Sequence, residues 1–356
     1  MPNLIYTYNH PFTLESGIVL PGYHLAYTLY GRLNEKKDNA VWIFHALTAN
    51  SDPAQWWPGL VGEGNLFDPS DFFIICVNMP GSCYGSLGPL SENPATGQPY
   101  FHDFPFFTPR DMVRAYQPLK KELGIERIKI GIGGSMGGQQ LLEWAIEEPG
   151  LFEFIFPIAT NAWHSAWGIA FNASQRACIE TDLSWVEKRP DAGIEGMKTA
   201  RSVALLSYRH YETYRESQQE EDLERLVQFR SESYQRYQGE KLAIRFNAFS
   251  YYKLSQSMDA HQVGRGRNNP QQALQRIRSK ALVIGIDTDI LFPLTEQQFI
   301  TSYIQGASLV KIHSRYGHDG FLLEYEQIGS LIGEFIQLKT HSSVKFASSN
   351  SENGST

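Results

Sequence analysis

Cysteine and long apolar runs are what this sequence lacks. Cys76, Cys83 and Cys178 are the three cysteines in 356 residues, too few for a disulfide framework and without metal-ligand spacing. Such a set suits a reducing compartment, and a cytoplasmic location is the expectation. No uninterrupted apolar stretch reaches the roughly 18 residues of a spanning helix, so no membrane association is expected. Residues 1–12 lack a basic segment followed by an apolar run, which speaks against a signal peptide. The ten histidines include no HExxH and no Cys/His cluster, so neither a metal nor a bound cofactor is expected. With 31 basic against 38 acidic residues the formal charge is −7, which gives no reason to expect nucleic acid as a partner.

What is present is an alternation. Residues 12–30 read as antiparallel strands broken at Pro21-Gly22. Compact apolar strands follow at 40–44, 72–77, 128–132 and 154–159. Thr108, Pro109 and Asp111 mark a helix start, and Gly124 marks its end. Residues 78–107, rich in Gly, Pro and aromatics, read as a long ordered loop. The β–α–β–α order demands a parallel sheet with helices on both faces. From 163 to 272 no convincing strand occurs, and helices are expected at 169–181, 194–217, 220–237 and 248–260. Strand character returns at 281–286 and 308–313, separated by a helix starting near Pro293. The domain expectation is therefore a core over 1–162, a helical lid over 163–272, the rest of the core over 273–338, and a disordered Ser/Asn-rich tail over 339–356.

The chemistry centres on Gly133-Gly134-Ser135-Met136-Gly137, between an apolar strand and a helix. This is Gly-x-Ser-x-Gly, the nucleophile elbow of an α/β-hydrolase fold, with a mostly parallel eight-stranded sheet expected. A serine hydroxyl is a weak nucleophile that needs a base, itself oriented by an acid, in the chain order Ser, Asp or Glu, His. His318 follows the last strand and is the candidate base. Two acids follow strand 281–286. Asp287 sits at the strand end, where it could brace the loop, and Asp289 reaches further out and is preferred. The oxyanion hole should combine the Met136 N–H with the Leu47 N–H from the loop after strand 40–44. His45 in that loop reads as a structural brace.

Several segments together resemble the homoserine O-acetyltransferases of the α/β-hydrolase superfamily. They are His45-Ala46-Leu47-Thr48, Cys83-Tyr84-Gly85-Ser86, Asp103-Phe104-Pro105, residues 108–113, residues 133–138 with Glu143-Trp144, and Tyr316-Gly317-His318-Asp319. In the lid they are joined by Gln175-Arg176-Ala177, Ala200-Arg201, Ser207-Tyr208-Arg209 and residues 264–267. The resemblance covers about residues 10–335. It implies a ping-pong transfer of an acetyl group from acetyl-CoA to L-homoserine in methionine synthesis, with Ser135, Asp289 and His318 as the triad. It also implies that Arg201, Tyr208 and Asp319 line the amino-acid site, and that the protein is a homodimer joined through its lid. Arginine suits bidentate capture of a carboxylate, and Asp319 would meet an ammonium. Arg265 and Arg267 read as solvated loop residues rather than contacts for coenzyme A. The sequence departs from the family pattern at 78–83 and 86–88, near the expected site, which bears on donor and acceptor choice. Succinyl-CoA as donor, serine as acceptor, or an esterase using water are the alternatives.

Overall fold

The computed structural model describes residues 4–349, from 339 onward in backbone only. Its centre is one eight-stranded sheet. The strands are β1 (Leu4–Tyr8), β2 (Tyr23–Tyr30), β3 (Ala40–Phe44), β4 (Phe73–Val77), β5 (Ile128–Gly134), β6 (Phe152–Ile158), β7 (Lys280–Ile286) and β8 (Ser308–Ile312). Their order is β1-β2-β4-β3-β5-β6-β7-β8. The first two are antiparallel to their neighbours, and from β4 onward every pairing is parallel. β3 and β4 are buried along their whole length, as strands covered on both faces must be. Within β3, Trp42 and Phe44 point into one core while Val41 and Ile43 point into the other. This two-residue alternation assigns each side chain to one face of the sheet. The first strand was missed by the sequence pattern, because its residues are half or fully exposed and carry no clear alternation.

Helix α1 (Pro109–Glu122) starts as its sequence predicts. The Thr108 hydroxyl accepts from the Asp111 N–H at 3.1 Å, and the Asp111 carboxylate accepts from the Thr108 N–H at 3.0 Å. Helix α2 (Met136–Glu147) follows β5 directly. Between β6 and β7 stand the lid helices α3 (Ala166–Glu180), α4 (Ile194–Tyr208), α5 (Tyr211–Gln218), α6 (Arg230–Ala243) and α7 (Ala248–Asp259). The two ends of this insertion meet at its root, where Val263 N–H donates to Ala162 and His164 N–H donates to His261.

The expected lid helices needed correction in two places. The 194–217 helix breaks at Arg209, whose backbone is extended, and restarts behind the His210 side chain, which accepts from the Glu212 N–H. The expected 220–237 helix begins instead at Arg230. Before it, the Glu220 carboxylate accepts from the N–H groups of Glu221, Asp222 and Arg230, and Asp222 accepts from Glu224. Acidic side chains that bind nearby backbone compete with the helical ladder.

A third correction concerns Arg267, whereas Arg265 is exposed as expected. Arg267 is not solvated: its side chain is 6% exposed and pairs with Glu143 at 2.8 Å and Glu147 at 2.5 Å. Arg110 joins Glu143 at 3.1 Å and Glu15 at 2.6 Å, and Arg265 reaches Glu15 at 3.1 Å. Buried charges survive when paired and hydrogen-bonded, and this network fastens the lid root to the core. The tail expected to be disordered from 339 is helical in its backbone as far as Ser349, the end of helix Tyr325–Ser349. Once a helix is nucleated, each further residue costs little to add. Positions 350–356 lie outside the described residues.

Candidate active site

Ser135 sits between β5 and α2 with φ 55° and ψ −125°. A non-glycine residue in this region stores on the order of 1–3 kcal/mol of strain, which persists only where the surroundings enforce it. Here they do. The Ser135 N–H donates to the Ile158 carbonyl at 3.0 Å, and the Ser135 carbonyl accepts from the Thr160 hydroxyl at 2.8 Å and the Gln139 N–H at 3.2 Å. The turn also needs its glycines. A Cβ on Gly137 would lie 2.1 Å from the Phe44 carbonyl oxygen, and one on Gly133 would lie 2.6 Å from the Gly137 backbone.

His318 follows β8 in a short 3-10 turn and is almost wholly buried. Its Nδ1 lies 2.6 Å from Asp289 Oδ2. The other carboxylate oxygen of Asp289 accepts from the N–H groups of Leu291 and Phe292, at 2.8 and 2.9 Å. Phe292 stacks on the imidazole at 5.0 Å, with Phe321 and Tyr208 at 5.2 and 5.8 Å. The ring is therefore packed among three aromatic rings and oriented by one carboxylate. Asp287 is elsewhere: it faces the exposed His313 at 2.8 Å and the Ser314 N–H at 3.4 Å.

The loop after β3 is built around His45. Its Nε2 accepts from the Met79 N–H at 3.0 Å, and Nδ1 donates to the Ala46 carbonyl at 2.9 Å. Both bonds need a neutral ring, and burial holds its pKa down at about 4. Leu47 follows on this brace, and Met136 begins α2. Among the described residues neither N–H donates to a protein acceptor, so both are available to a ligand oxyanion.

Ser135, His318, Leu47, Arg201, Tyr208 and Asp319 all line one cavity of about 590 Å³. Arg201 lies over the Tyr208 ring, 5.4 Å from its centroid, and burial raises the Tyr208 hydroxyl above its ordinary pKa. Asp319 has a partner that sequence reasoning missed. Arg209 Nε stands 2.8 Å from its Oδ2, which leaves Oδ1 for a ligand. The signal was at hand, since Arg209 directly follows Tyr208 in the quoted lid segment. Tyr84, from the segment Cys83–Ser86, also lines the cavity, as do Lys241 and Arg245, which carry no pattern that would have found them. The departures at 78–83 and 86–88 form no part of the lining. Asn78, Met79 and Leu87 are buried behind it, with Asn78 donating to the Ser51 hydroxyl and the Tyr84 carbonyl.

Comparison with known proteins agrees with this geometry. The family model for the alpha/beta hydrolase fold matches residues 39–325. A homoserine O-acetyltransferase of Cyclobacterium marinum is 47% identical over 335 residues, covering 94% of this chain and 95% of that protein. Among solved structures, a homoserine O-acetyltransferase from Bacillus anthracis superposes with a TM-score of 0.85 at 23% identity, over 94% of this chain and 96% of that one. Esterase E22 superposes with a TM-score of 0.83, also at 23% identity, over 94% and 99%. At that identity the structural likenesses speak for the fold alone.

Proposed function

The chain belongs to the homoserine O-acetyltransferase family of the α/β-hydrolase fold, and from that premise we propose that it moves an acetyl group from acetyl-CoA to the hydroxyl of L-homoserine. The observation that carries the reading is the company Ser135 keeps. One cavity holds the serine, the Asp289-oriented His318, and two groups of opposite charge, Arg201 and Asp319. A hydrolase of simple esters has no use for such a pair. An amino acid does, offering a carboxylate to the guanidinium and an ammonium to the carboxylate.

In the first half-reaction Ser135 Oγ attacks the thioester carbonyl carbon and its proton passes to His318 Nε2. The oxyanion rests on the Leu47 and Met136 N–H groups. The carbon–sulfur bond breaks, and the departing thiolate takes the proton from His318. In the second, the homoserine hydroxyl gives its proton to His318 and attacks the acetyl-serine ester. Ser135 Oγ leaves with that proton, and O-acetylhomoserine is released. The product places the reaction in methionine synthesis.

Two further expectations belong to this reading. The three free cysteines fit a reducing cytoplasm. The lid exposes Leu183, Leu223, Leu226 and Ile244, each at 85% or more, apolar side chains of the kind that a second copy of the chain would cover. Sedimentation equilibrium should find a dimer.

Thiol detection with acetyl-CoA, with and without homoserine, tests the function. A burst of about one CoA per protein without acceptor, and sustained release with it, is the expected pair of results. Steady release that homoserine leaves unchanged would make the protein a thioesterase or esterase instead.

A further inference from the structure

The cavity is electropositive although the chain is not. Its lining holds four basic side chains, Arg201, Arg209, Lys241 and Arg245, against one carboxylate, Asp319, in a chain of net charge −7. Arg209 is consumed by Asp319, and Arg201 has a place in the acceptor site. Lys241 and Arg245 remain. They stand four residues apart, Lys241 in the last turn of α6 and Arg245 two residues beyond its end, both exposed. Among the described residues neither has a carboxylate within ion-pair distance. Arg245 is nevertheless held in place, because its Nη1 donates to the Thr48 carbonyl at 2.5 Å and to the Tyr84 hydroxyl at 2.6 Å. Both acceptors belong to residues lining the same cavity, and Thr48 directly follows Leu47. A guanidinium anchored by neutral acceptors keeps its full charge and its remaining N–H donors for a ligand.

We infer that Lys241 and Arg245 bind the phosphates of the acyl donor at the mouth of the cavity. The inference rests on the acyl-CoA reading above and goes beyond it by assigning the donor's nucleotide end. A volume of about 590 Å³ matches one drug-sized ligand. In the first half-reaction the acetyl group and the pantetheine arm occupy it, and the phosphorylated nucleotide is left at the rim. Two unpaired cations at that rim neutralise phosphate charge and steer the anionic thioester inward. Lys241 also suits the negative end of the α6 dipole, a purely structural role that the experiment separates from phosphate binding.

The experiment compares acetyl-CoA with S-acetylpantetheine, which carries the same thioester and no phosphate. Wild type should favour acetyl-CoA, the preference shrinking in high salt. Lys241→Ala and Arg245→Ala together should raise the KM for acetyl-CoA at least tenfold more than that for S-acetylpantetheine, and Arg245→Lys should restore most of the loss. An unchanged preference in the double variant overturns the inference. So does an equal loss with both thioesters, which would mean that Arg245 merely braces the Thr48 loop. If wild type releases thiol from neither compound, the transferase reading fails separately. Inhibition of p-nitrophenyl acetate hydrolysis by free CoA then decides the phosphate site. Inhibition weakened by the double variant upholds it, and inhibition that is absent or unaltered removes it.

Discussion

Replacing Asp289 by Asn tests the site at its most specific point. The asparagine oxygen can still accept from the Leu291 and Phe292 N–H groups at 2.8 and 2.9 Å, so the loop keeps its shape. What changes is the group facing His318 Nδ1 at 2.6 Å. An amide N–H there is satisfied only by an unprotonated Nδ1. The ring proton then moves to Nε2, the nitrogen that receives the Ser135 proton in the proposed reaction. The expected loss is on the order of 10⁴ in kcat, or about 5 kcal/mol of transition-state stabilisation. Stability should fall far less, since one charge-assisted bond becomes a neutral one at a cost of about 1 kcal/mol. Asp289→Ala is a poorer probe, because it strands two buried N–H groups at about 1–3 kcal/mol each. Asp287→Asn is the control. Its partner His313 is 77% exposed, and such pairs contribute about 0–1 kcal/mol, so kcat should change less than about tenfold. The assay is thiol release from acetyl-CoA in the presence of homoserine, run beside thermal unfolding. Retention of more than about one per cent of kcat by Asp289→Asn, or an equal effect of Asp287→Asn, would refute the reasoning.

Three other outcomes follow from the same geometry. Gly137→Ala would place a methyl group 2.1 Å from the Phe44 carbonyl oxygen, and it should cost about 3 kcal/mol or more in urea unfolding, or prevent folding; a change under about 1 kcal/mol would contradict the packing. Arg201→Ala should keep the thiol burst with acetyl-CoA and lose turnover with homoserine; disappearance of the burst in stopped flow would move Arg201 out of the acceptor site. The third concerns acid. Burial lowers His45 and His164 to about 4 and His261 to about 3, from 6.5. Below pH 6.5 the unfolded chain binds protons that the fold refuses, so stability is full above that pH and falls toward pH 4, by about 1.4 kcal/mol per pH unit for each histidine. Burial raises Glu296 to about 7 from 4.5, which acts in the opposite sense between those values and offsets one histidine. The urea midpoint should therefore drop clearly from pH 7 to pH 5, and a flat profile would show that the three rings are not held neutral.

The local signals proved readable where chemistry restricts residue type. Gly133, Ser135 and Gly137 announce a turn that few other sequences could form. The Thr108–Asp111 capping box is equally explicit. Asp289 and His318 were legible from chain order, since each follows a strand of the core. Long-range choices were not. Nothing near Arg267 in the chain tells that Glu143 and Glu147, more than a hundred residues earlier, will bury it. Residues 219–229 look helical by composition, and only the local bonding of Glu220 and Asp222 decides against it. The cavity-lining positions of Lys241 and Arg245 depend on how the lid folds back over the sheet, which no periodicity encodes.

That insertion also has a consequence in time. β6 ends at Ile158 and its sheet neighbour β7 begins at Lys280, with the whole lid between them in the chain. A ribosome adds about 5–20 residues per second. The elbow serine is therefore made roughly 10 to 40 seconds before His318, and for most of that interval Asp289 is missing as well. The last two parallel strands cannot dock until the lid has been synthesised. On the proposed mechanism the nascent chain carries Ser135 without its base, and the competence to form an acyl-enzyme arrives only once His318 has been made.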